Sequence, residues 1–405
     1  MAAITVITVF SGLSNSAQAQ KSKDTITIGA ALSMTGINGV NGKHTRRGYE
    51  LAKSLINENG GVSVGGTKFE LAIKYYDDES NPVLARKLAK RLITKDKVRL
   101  MLGPYSTSTT ATVAEVTEKY KVPMVQANGA SLSLFDKGYK YMFAVLSSAD
   151  RYLGNALNLA AEQSKKSGVD SSTLKVAIAV EDDSFSSDLR KGVLADAKKF
   201  NMTVVIDEKL PRDFGDMTFI LDKVKFEKPD ILIVSGHDKG ADLAIRQIKE
   251  QKVDVPMLAM THCEGADIHG KYGLGANYTL CSTQWANTMK HKGRWFGTAD
   301  NYHRQFTAEY GYEPPYQAAE SSAAVLVMAD AIERAASLDK QKIREALVKT
   351  DLKTFFGWVK FDETGKNIAK PMVLRQLFQG KYLTVAPSGF AQHEVVYPRP
   401  KWSDR

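Results

Sequence analysis

The stretch LMLGPYSTSTTATVAEV, Leu100 to Val116, places six hydroxyl side chains in a row from Tyr105 to Thr110, just after an apolar run that stops at Gly103-Pro104. One hydroxyl is enough to cap the helix whose pattern begins near Thr109. The surplus suits an anion, a carboxylate above all, held by hydroxyls and by the free N–H groups of a helix N-terminus. A second stretch, THCEGADIH, carries His262, Cys263, Glu264, Asp267 and His269, each a possible metal ligand. Their spacing is irregular and lacks the paired cysteine pattern of a structural zinc site, so the expectation is cleft lining or helix capping, and no metal. Glu181, Asp182 and Asp183 are consecutive and point in different directions. Without a nucleophile motif beside them they read as capping and cleft polarity, not as a hydrolytic centre.

Neither a G-x-G-x-x-G nor a Gly-Lys-Ser/Thr loop is present, which leaves nucleotide binding without support. Cys263 and Cys281 are the only cysteines. A disulfide between them and a pair of buried thiols on neighbouring strands both remain open. The aromatic side chains Tyr105, Phe185, Trp285 and Tyr316 fall near the same loops, where each could pack in the core or touch a ligand.

The elements that carry these residues alternate in type. From Thr25 onward, strand-like runs (TITIGAAL, FELAIKYYD, VRLMLG, VPMVQAN) are separated by amphipathic helical ones (RRGYELAKSLINENG, PVLARKLAKRLITKD, TATVAEVTEKY). The rhythm restarts after Lys166 with LKVAIAVEDD, MTVVIDEKL, DILIVSG and VPMLAMTHC. Such alternation with short links predicts parallel sheets covered by helices on both faces. Later helices are expected at Ala299 to Tyr310, Tyr316 to Ala336 and Lys340 to Lys349, followed by strand-like segments that complete sheets already begun. In open parallel sheets, ligands sit beyond the carboxyl ends of the strands. The hydroxyl run lies at such an end.

The chain has 405 residues, 43% hydrophobic and 25% charged, which fits two globular units of ordinary size. Its first nineteen residues carry no charge, run apolar from Ala2 to Phe10 and reach Ala17-Gln18-Ala19. That pattern predicts a signal peptide over residues 1–19, although the usual basic residue before the apolar run is missing and a short buried helix is the alternative. No cysteine follows to suggest a lipid anchor, and no later run reaches the ~18 apolar residues of a membrane span. The formal charge of +10 is scattered, which argues against nucleic acid as a partner.

Taken in order, IGAALSMTG, GYELAKSLINENGGV, YDDESNP, GPYSTSTT, KVPMVQANGAS, VEDDSF, VSGH and FGWVKFDETGK resemble the periplasmic substrate-binding proteins of branched-chain-amino-acid-type ABC transporters, the leucine/isoleucine/valine-binding group. The resemblance spans nearly all of residues 25 to 390. It implies an α/β, two-lobed type I periplasmic binding protein fold, each lobe a mostly parallel sheet flanked by helices, with three hinge crossovers near Ser147, Thr283 and Phe355. Lobe one would then comprise 24–147 plus 283–355, and lobe two 148–282 plus 356–397.

Carried over residue by residue, the resemblance assigns a ligand carboxylate to Tyr105, Ser106 and Thr107. It assigns the ligand's ammonium or other polar end to the loop of Asn128, Gly129, Ala130 and Ser131. Phe185, His237 and Glu264 match the family's contacts in lobe two, with Glu264 in the ammonium role. Asn128 and Ala130 depart from the small residue and threonine common in amino-acid binders. The crossover STQW, Ser282 to Trp285, is similar to a subgroup associated with aromatic or larger carboxylates. The expected activity is non-enzymatic capture of a small carboxylate, an amino acid or an aromatic acid, for delivery to a membrane permease. No cofactor is expected, and a monomer is the default for a diffusible periplasmic carrier. The alternative is a sensor or receptor-type module of the same fold that reports an amide or amino acid and moves nothing.

Overall fold

Thr25–Leu32 has the continuous apolar reading of a strand covered on both faces, and Ile28, Ala30, Ala31 and Leu32 are fully buried. It lies inside a six-stranded sheet in the order Val62–Val64, Thr67–Asp77, Thr25–Leu32, Met101–Leu102, Met124–Gln126, Met142–Ala144. All neighbours run parallel except the first hairpin. The computed structural model describes Met1, residues 24–212 and residues 214–404; the expected leader, apart from Met1, lies outside the described residues. Among the described residues no helix is long and apolar enough to cross a membrane.

A second sheet of seven strands has the order Lys381–Ala386, Val373–Phe378, Leu280–Thr283, Met257–Met260, Ile231–Ser235, Lys175–Glu181, Thr203–Leu210. Its first two strands are antiparallel and the rest parallel, so the mostly parallel two-sheet architecture expected from the alternation is the one observed. The helices at Ala299–Tyr310, Tyr316–Ala335 and Lys340–Val348 return to the first sheet, sharing a core with Ile28, Tyr49 and Phe143. Tyr316–Ala335 is buried along most of its length, and its small residues permit this. At its closest approach to Gly39–Glu58, a Cβ on Gly48 would stand 2.1 Å from the Ala318 carbonyl oxygen, so only glycine fits.

The chain passes between the sheets three times: after Ala144, after Thr283, and between Phe361 and Val373. The third passage lies downstream of Phe355, because Gly357–Lys360 pairs with Asp351–Thr354 as a hairpin, and Val359 and Phe361 pack in the first sheet's core. All three passages are joined at one buried point. The Ser147 N–H donates to Gln284 Oε1 at 3.1 Å, and Gln284 Nε2 donates to the Ser147 carbonyl at 2.9 Å. Ser147 Oγ donates to the Lys370 carbonyl at 2.9 Å, while Lys370 Nζ reaches Gln284 Oε1 at 3.0 Å and the Gln284 carbonyl as well. The Lys370 ammonium also lies 4.4 Å from the centre of the Phe356 ring, and burial pulls its pKa down to about 7, the nearby Glu320 charge opposing.

Cys263 and Cys281 are joined in a disulfide with 5.9 Å between their Cα atoms. Their strands are parallel neighbours, with Met260 opposite Cys281, and the turn after Met260 carries Cys263 back to face its partner. The disulfide branch of the two readings open from sequence is thus the one the fold takes.

Candidate functional site

A cleft of about 480 Å3 collects loops from the carboxyl ends of both sheets. Tyr105 to Ser108 follow Met101–Leu102, Asn128 and Ala130 follow Met124–Gln126, Asp183 to Phe185 follow Lys175–Glu181, Gly236 to Gly240 follow Ile231–Ser235, and His262 follows Met257–Met260. This is the position the parallel-sheet argument assigns to a ligand.

Ser106 is the N-cap of the helix Thr107–Tyr120, extended at φ −160°, yet among the described residues it makes no side-chain cap bond. Its Oγ instead lies 3.1 Å from Ser108 Oγ and 3.5 Å from Thr109 Oγ1. Thr107 Oγ1 accepts the Ala130 N–H at 3.3 Å, tying the hydroxyl loop to the next one. Capping alone therefore does not account for the run, and the residues at the helix start, Ser106, Thr107 and Ser108, line the cleft, where a helix N-terminus offers N–H groups without intrahelical partners.

The neighbouring loop is shaped by Gln126. Its Oε1 accepts from the N–H groups of Asn128 and Gly129 at 3.0 and 2.7 Å, and its Nε2 donates to the Gly129 carbonyl at 2.8 Å. Asn128 Nδ2 donates to Ser321 Oγ at 3.3 Å. Gly129 is packed against Thr110 and Leu134, and Ser131 Oγ donates to Asp188 Oδ2 at 2.5 Å, so neither faces the cleft.

On the second sheet's side, Asp183 caps Ser184–Lys199 by accepting the Ser186 N–H at 2.6 Å, and its other oxygen lies 2.5 Å from His237 Nε2. Burial depresses the His237 pKa, but the hydrogen bond and charge of Asp183 outweigh it and the net shift is upward. The same contact lowers Asp183 against the opposing effect of burial. His262 stands 4.9 Å from His237, ring centre to ring centre, and burial pulls it down to about 3. His262 is therefore neutral at physiological pH. Both histidines adopt the left-handed backbone region, at φ 52° and 59°, which costs each about 1–2 kcal/mol and is retained where a side chain must be aimed.

Phe185 lies between them, with ring centres 5.4 Å from His237, 5.6 Å from His262 and 5.0 Å from Tyr152. Glu181, Asp183 and His237 offer donor atoms within 4.8 Å of one another. Asp183 already bonds Ser186 and His237, so the arrangement is that of a capped ion pair.

Two of the sequence candidates lie elsewhere. Glu264 is ion-paired with the Arg375 guanidinium, which burial holds down at about 10, and so does not line the cleft. Trp285, 3% exposed, packs edge-on to Tyr302 and Phe355 in the first sheet's core. Tyr105, Ser106, Thr107, Asn128, Ala130, Phe185, His237 and Tyr316 do line the cleft.

The cleft also holds Asn41, Tyr152, Asp238 and Glu320, which the sequence reading passed over, and His262, which falls under the cleft lining expected of THCEGADIH and forms an aromatic wall. Asp238 Oδ2 accepts from Asn41 Nδ2 at 3.2 Å, and Asn41 Oδ1 accepts from Gln317 Nε2 at 3.0 Å, linking the two sides. Burial raises the Asp238 carboxyl. Glu320, 1% exposed, is pushed well above the usual carboxylate range by burial, with the Lys370 charge pulling the other way. One signal for it was in plain sight: Glu320 is the one charged residue in YQAAESSAAVLVMA, Tyr316 to Ala329.

Residues 25–381 match the family described as Periplasmic binding protein. The chain is 24% identical over 391 residues to Leu/Ile/Val-binding protein homolog 7 of Brucella suis, covering 92% of this chain and 94% of that one. Among solved structures, a branched-chain amino acid transporter substrate binding protein from Streptococcus pneumoniae in complex with isoleucine superimposes with a TM-score of 0.77 at 20% identity, over 93% and 100% of the two chains. A solute binding protein of an ABC transporter from R. palustris in complex with benzoate gives 0.73 at 16%, over 89% and 95%. At these identities the two structures establish the fold they share with this chain.

Proposed function

We propose, from the premise that the chain belongs to the periplasmic binding protein family, that it is a non-enzymatic solute-binding protein. It captures a small carboxylate, an amino acid or an aromatic acid, and delivers it to the permease of an ABC transporter. The observation that carries this reading is the uncapped helix start at Thr107, with Ser106 and Thr107 beside it at the mouth of strand Met101–Leu102. Helix N–H groups, the helix dipole and two hydroxyls make a receptor for a carboxylate that needs no basic side chain. Tyr105, Phe185 and Tyr316 supply apolar flanks, and His237 a distal polar contact.

Capture works by hinge closure. Lobe one is residues 24–147 together with the segment from 283 through the Asp351–Lys360 hairpin, lobe two is residues 148–282 together with the chain from Val373 to 397, and each contributes part of the site. The disulfide fits a protein that works in an oxidising compartment such as the periplasm, as a monomer. Native protein denatured gently and examined by mass spectrometry releases the unaltered solute on this reading. A chemically changed solute would point to catalysis, and a sugar as sole ligand would end the carboxylate assignment.

A further inference from the structure

Two adjacent carboxyl groups sit where the strand Thr67–Asp77 ends, and their surroundings differ. Asp77 accepts from the N–H groups of Met34, Thr35 and Glu79 and from the Thr35 hydroxyl, so burial is outweighed and its pKa falls. Asp78 is fully buried and is offered less. Its Oδ1 accepts the Ser80 N–H at 2.9 Å and stands 2.7 Å from Ser33 Oγ, while among the described residues Oδ2 has no hydrogen-bond partner. Burial, with the Asp77 charge acting in the same direction, raises the Asp78 pKa to about 6.

Ser33 Oγ also lies 3.3 Å from the Tyr105 carbonyl oxygen. A hydroxyl carries one proton, and with Asp78 ionised it faces two acceptors. The carboxylate is the stronger of them and takes the proton, and the Tyr105 carbonyl loses that donor. With Asp78 protonated, its carboxyl donates to Ser33 Oγ and Ser33 donates to Tyr105, so each contact of the chain holds one proton. The peptide plane adds a direction. The bond between Tyr105 and Ser106 is trans, so a Tyr105 carbonyl fixed on Ser33 turns the Ser106 N–H the opposite way. Ser33 is buried, whereas Ser106 lines the cleft.

We propose that Asp78 is a positioning residue that works as a neutral acid: through Ser33 it fixes the Tyr105 carbonyl and so presents the Ser106 N–H to the solute's carboxylate. The inference rests on the carboxylate reading above. It adds a proton to the capture step. An anion entering the loop beside an ionised Asp78 meets a like charge, so above the titration range of Asp78 binding draws one proton from solvent onto that residue. Of the groups packed around Asp78, Asp77 beside it is ionised, Ser33 and Ser80 do not titrate, and burial raises the Tyr105 hydroxyl well above its usual range. His237, across the cleft, loses its charge as pH rises and gives a slope of the same sign, so the comparison of variants carries the test.

The test is titration calorimetry with L-leucine, L-isoleucine, L-phenylalanine and benzoate at about pH 5.5 and about pH 8, on either side of the Asp78 titration. The expected result is that the native protein binds at least one of them on the order of tenfold tighter at the lower pH, and takes up a proton at the upper one, read from the buffer dependence of the heat. Asp78→Asn, whose amide donates to Ser33 as the acid does, keeps most of the low-pH affinity at both values. Asp78→Ala is weak at both. Ser33→Ala cuts the chain without touching the carboxyl group and weakens binding at the lower pH toward the native value at the upper one, which decides the matter if the Asn variant does not fold. A slope that persists undiminished in Asp78→Asn, an Asn variant no tighter than the Ala one, or a native affinity flat in pH overturns the role of Asp78 and leaves the carboxylate trap standing. If none of the four acids binds at either pH, the carboxylate reading falls and the positioning role falls with it.

Discussion

Ser131 Oγ lies 2.5 Å from Asp188 Oδ2, and the Leu132 N–H donates to the same oxygen at 2.8 Å. One carboxylate on the helix Ser184–Lys199 thus clasps the loop after Met124–Gln126, which belongs to the other sheet. Asp188 is 3% exposed, so this is a desolvated clasp between elements of the two sheets, outside the cleft lining, and not a surface contact.

We predict that Asp188→Ala loosens the closed form. Hydrogen bonds to a buried charge are worth roughly 1.5–3 kcal/mol, so solution scattering should show a more open particle and ligand affinity should fall by about that amount. A variant with unchanged scattering and affinity would show that closure depends on other contacts.

Ser106→Ala and Thr107→Ala should each weaken carboxylate binding by about 1–3 kcal/mol, the cost of a hydrogen bond to a charged group. Melting temperatures should change little. Calorimetry on the refolded variants checks both, and undiminished affinity would return the hydroxyls to a purely structural role.

For His262, an imidazole held at about 3 in the fold and near 6.5 in the unfolded chain means that the unfolded state binds more protons between those values. Stability from this residue is full above pH 6.5 and is lost as pH falls. His237 runs the other way: its folded pKa is raised, so its contribution is full below 6.5 and is lost as pH rises through the folded value. His262→Gln should flatten the acid side of a urea-denaturation series, and an unchanged acid limb would show that other groups control it.

Glu264→Gln tests the reassignment of that carboxylate. Arg375 would be left part-buried without its ion partner, so the melting temperature should drop, with a cost of about 1–3 kcal/mol. Ligand affinity should stay within about twofold, well under the 1.4 kcal/mol that a tenfold change requires. A larger loss of affinity at unchanged stability would place Glu264 back in the ligand's path.

The disulfide closes a loop with a sequence separation of 18. Chain-entropy arguments give loops of about this size roughly 3 kcal/mol. Cys263→Ser with Cys281→Ser should therefore lower the denaturant midpoint without changing which acids bind. An unaltered midpoint would mean that packing around Met260 and Leu280 suffices.

The sheet architecture was legible because strand and helix periods alternate from Thr25 to Gln126 and again from Lys175 to Met260, and parallel pairing follows from short links. The hydroxyl run was legible for a related reason, since a strand end that opens a helix has one place to point. Glu264 misled because its partner, Arg375, is 111 residues further on, and no local pattern couples them. Trp285 misled because a crossover residue turns into whichever core is nearer, which periodicity does not encode. Glu320 was overlooked because nothing local marks which face of its helix, Tyr316–Ala335, meets the cleft. The third passage was placed too early because the strand-like WVKFDE closes a local hairpin before the chain leaves.

The meeting of Ser147, Gln284 and Lys370 has a mechanical corollary. Three chain passages pinned at one buried point leave the lobes little freedom to slide, and their relative motion becomes rotation about that pivot. A solute slightly too large for the cleft then props it ajar by a small angle, and the displacement grows with distance from Lys370. At the outer rims, the surfaces that would meet a permease on the function proposed above, the misfit would be magnified as by a lever. On that function, selectivity is read twice, once by contacts around the solute and once by the spacing of surfaces that never touch it.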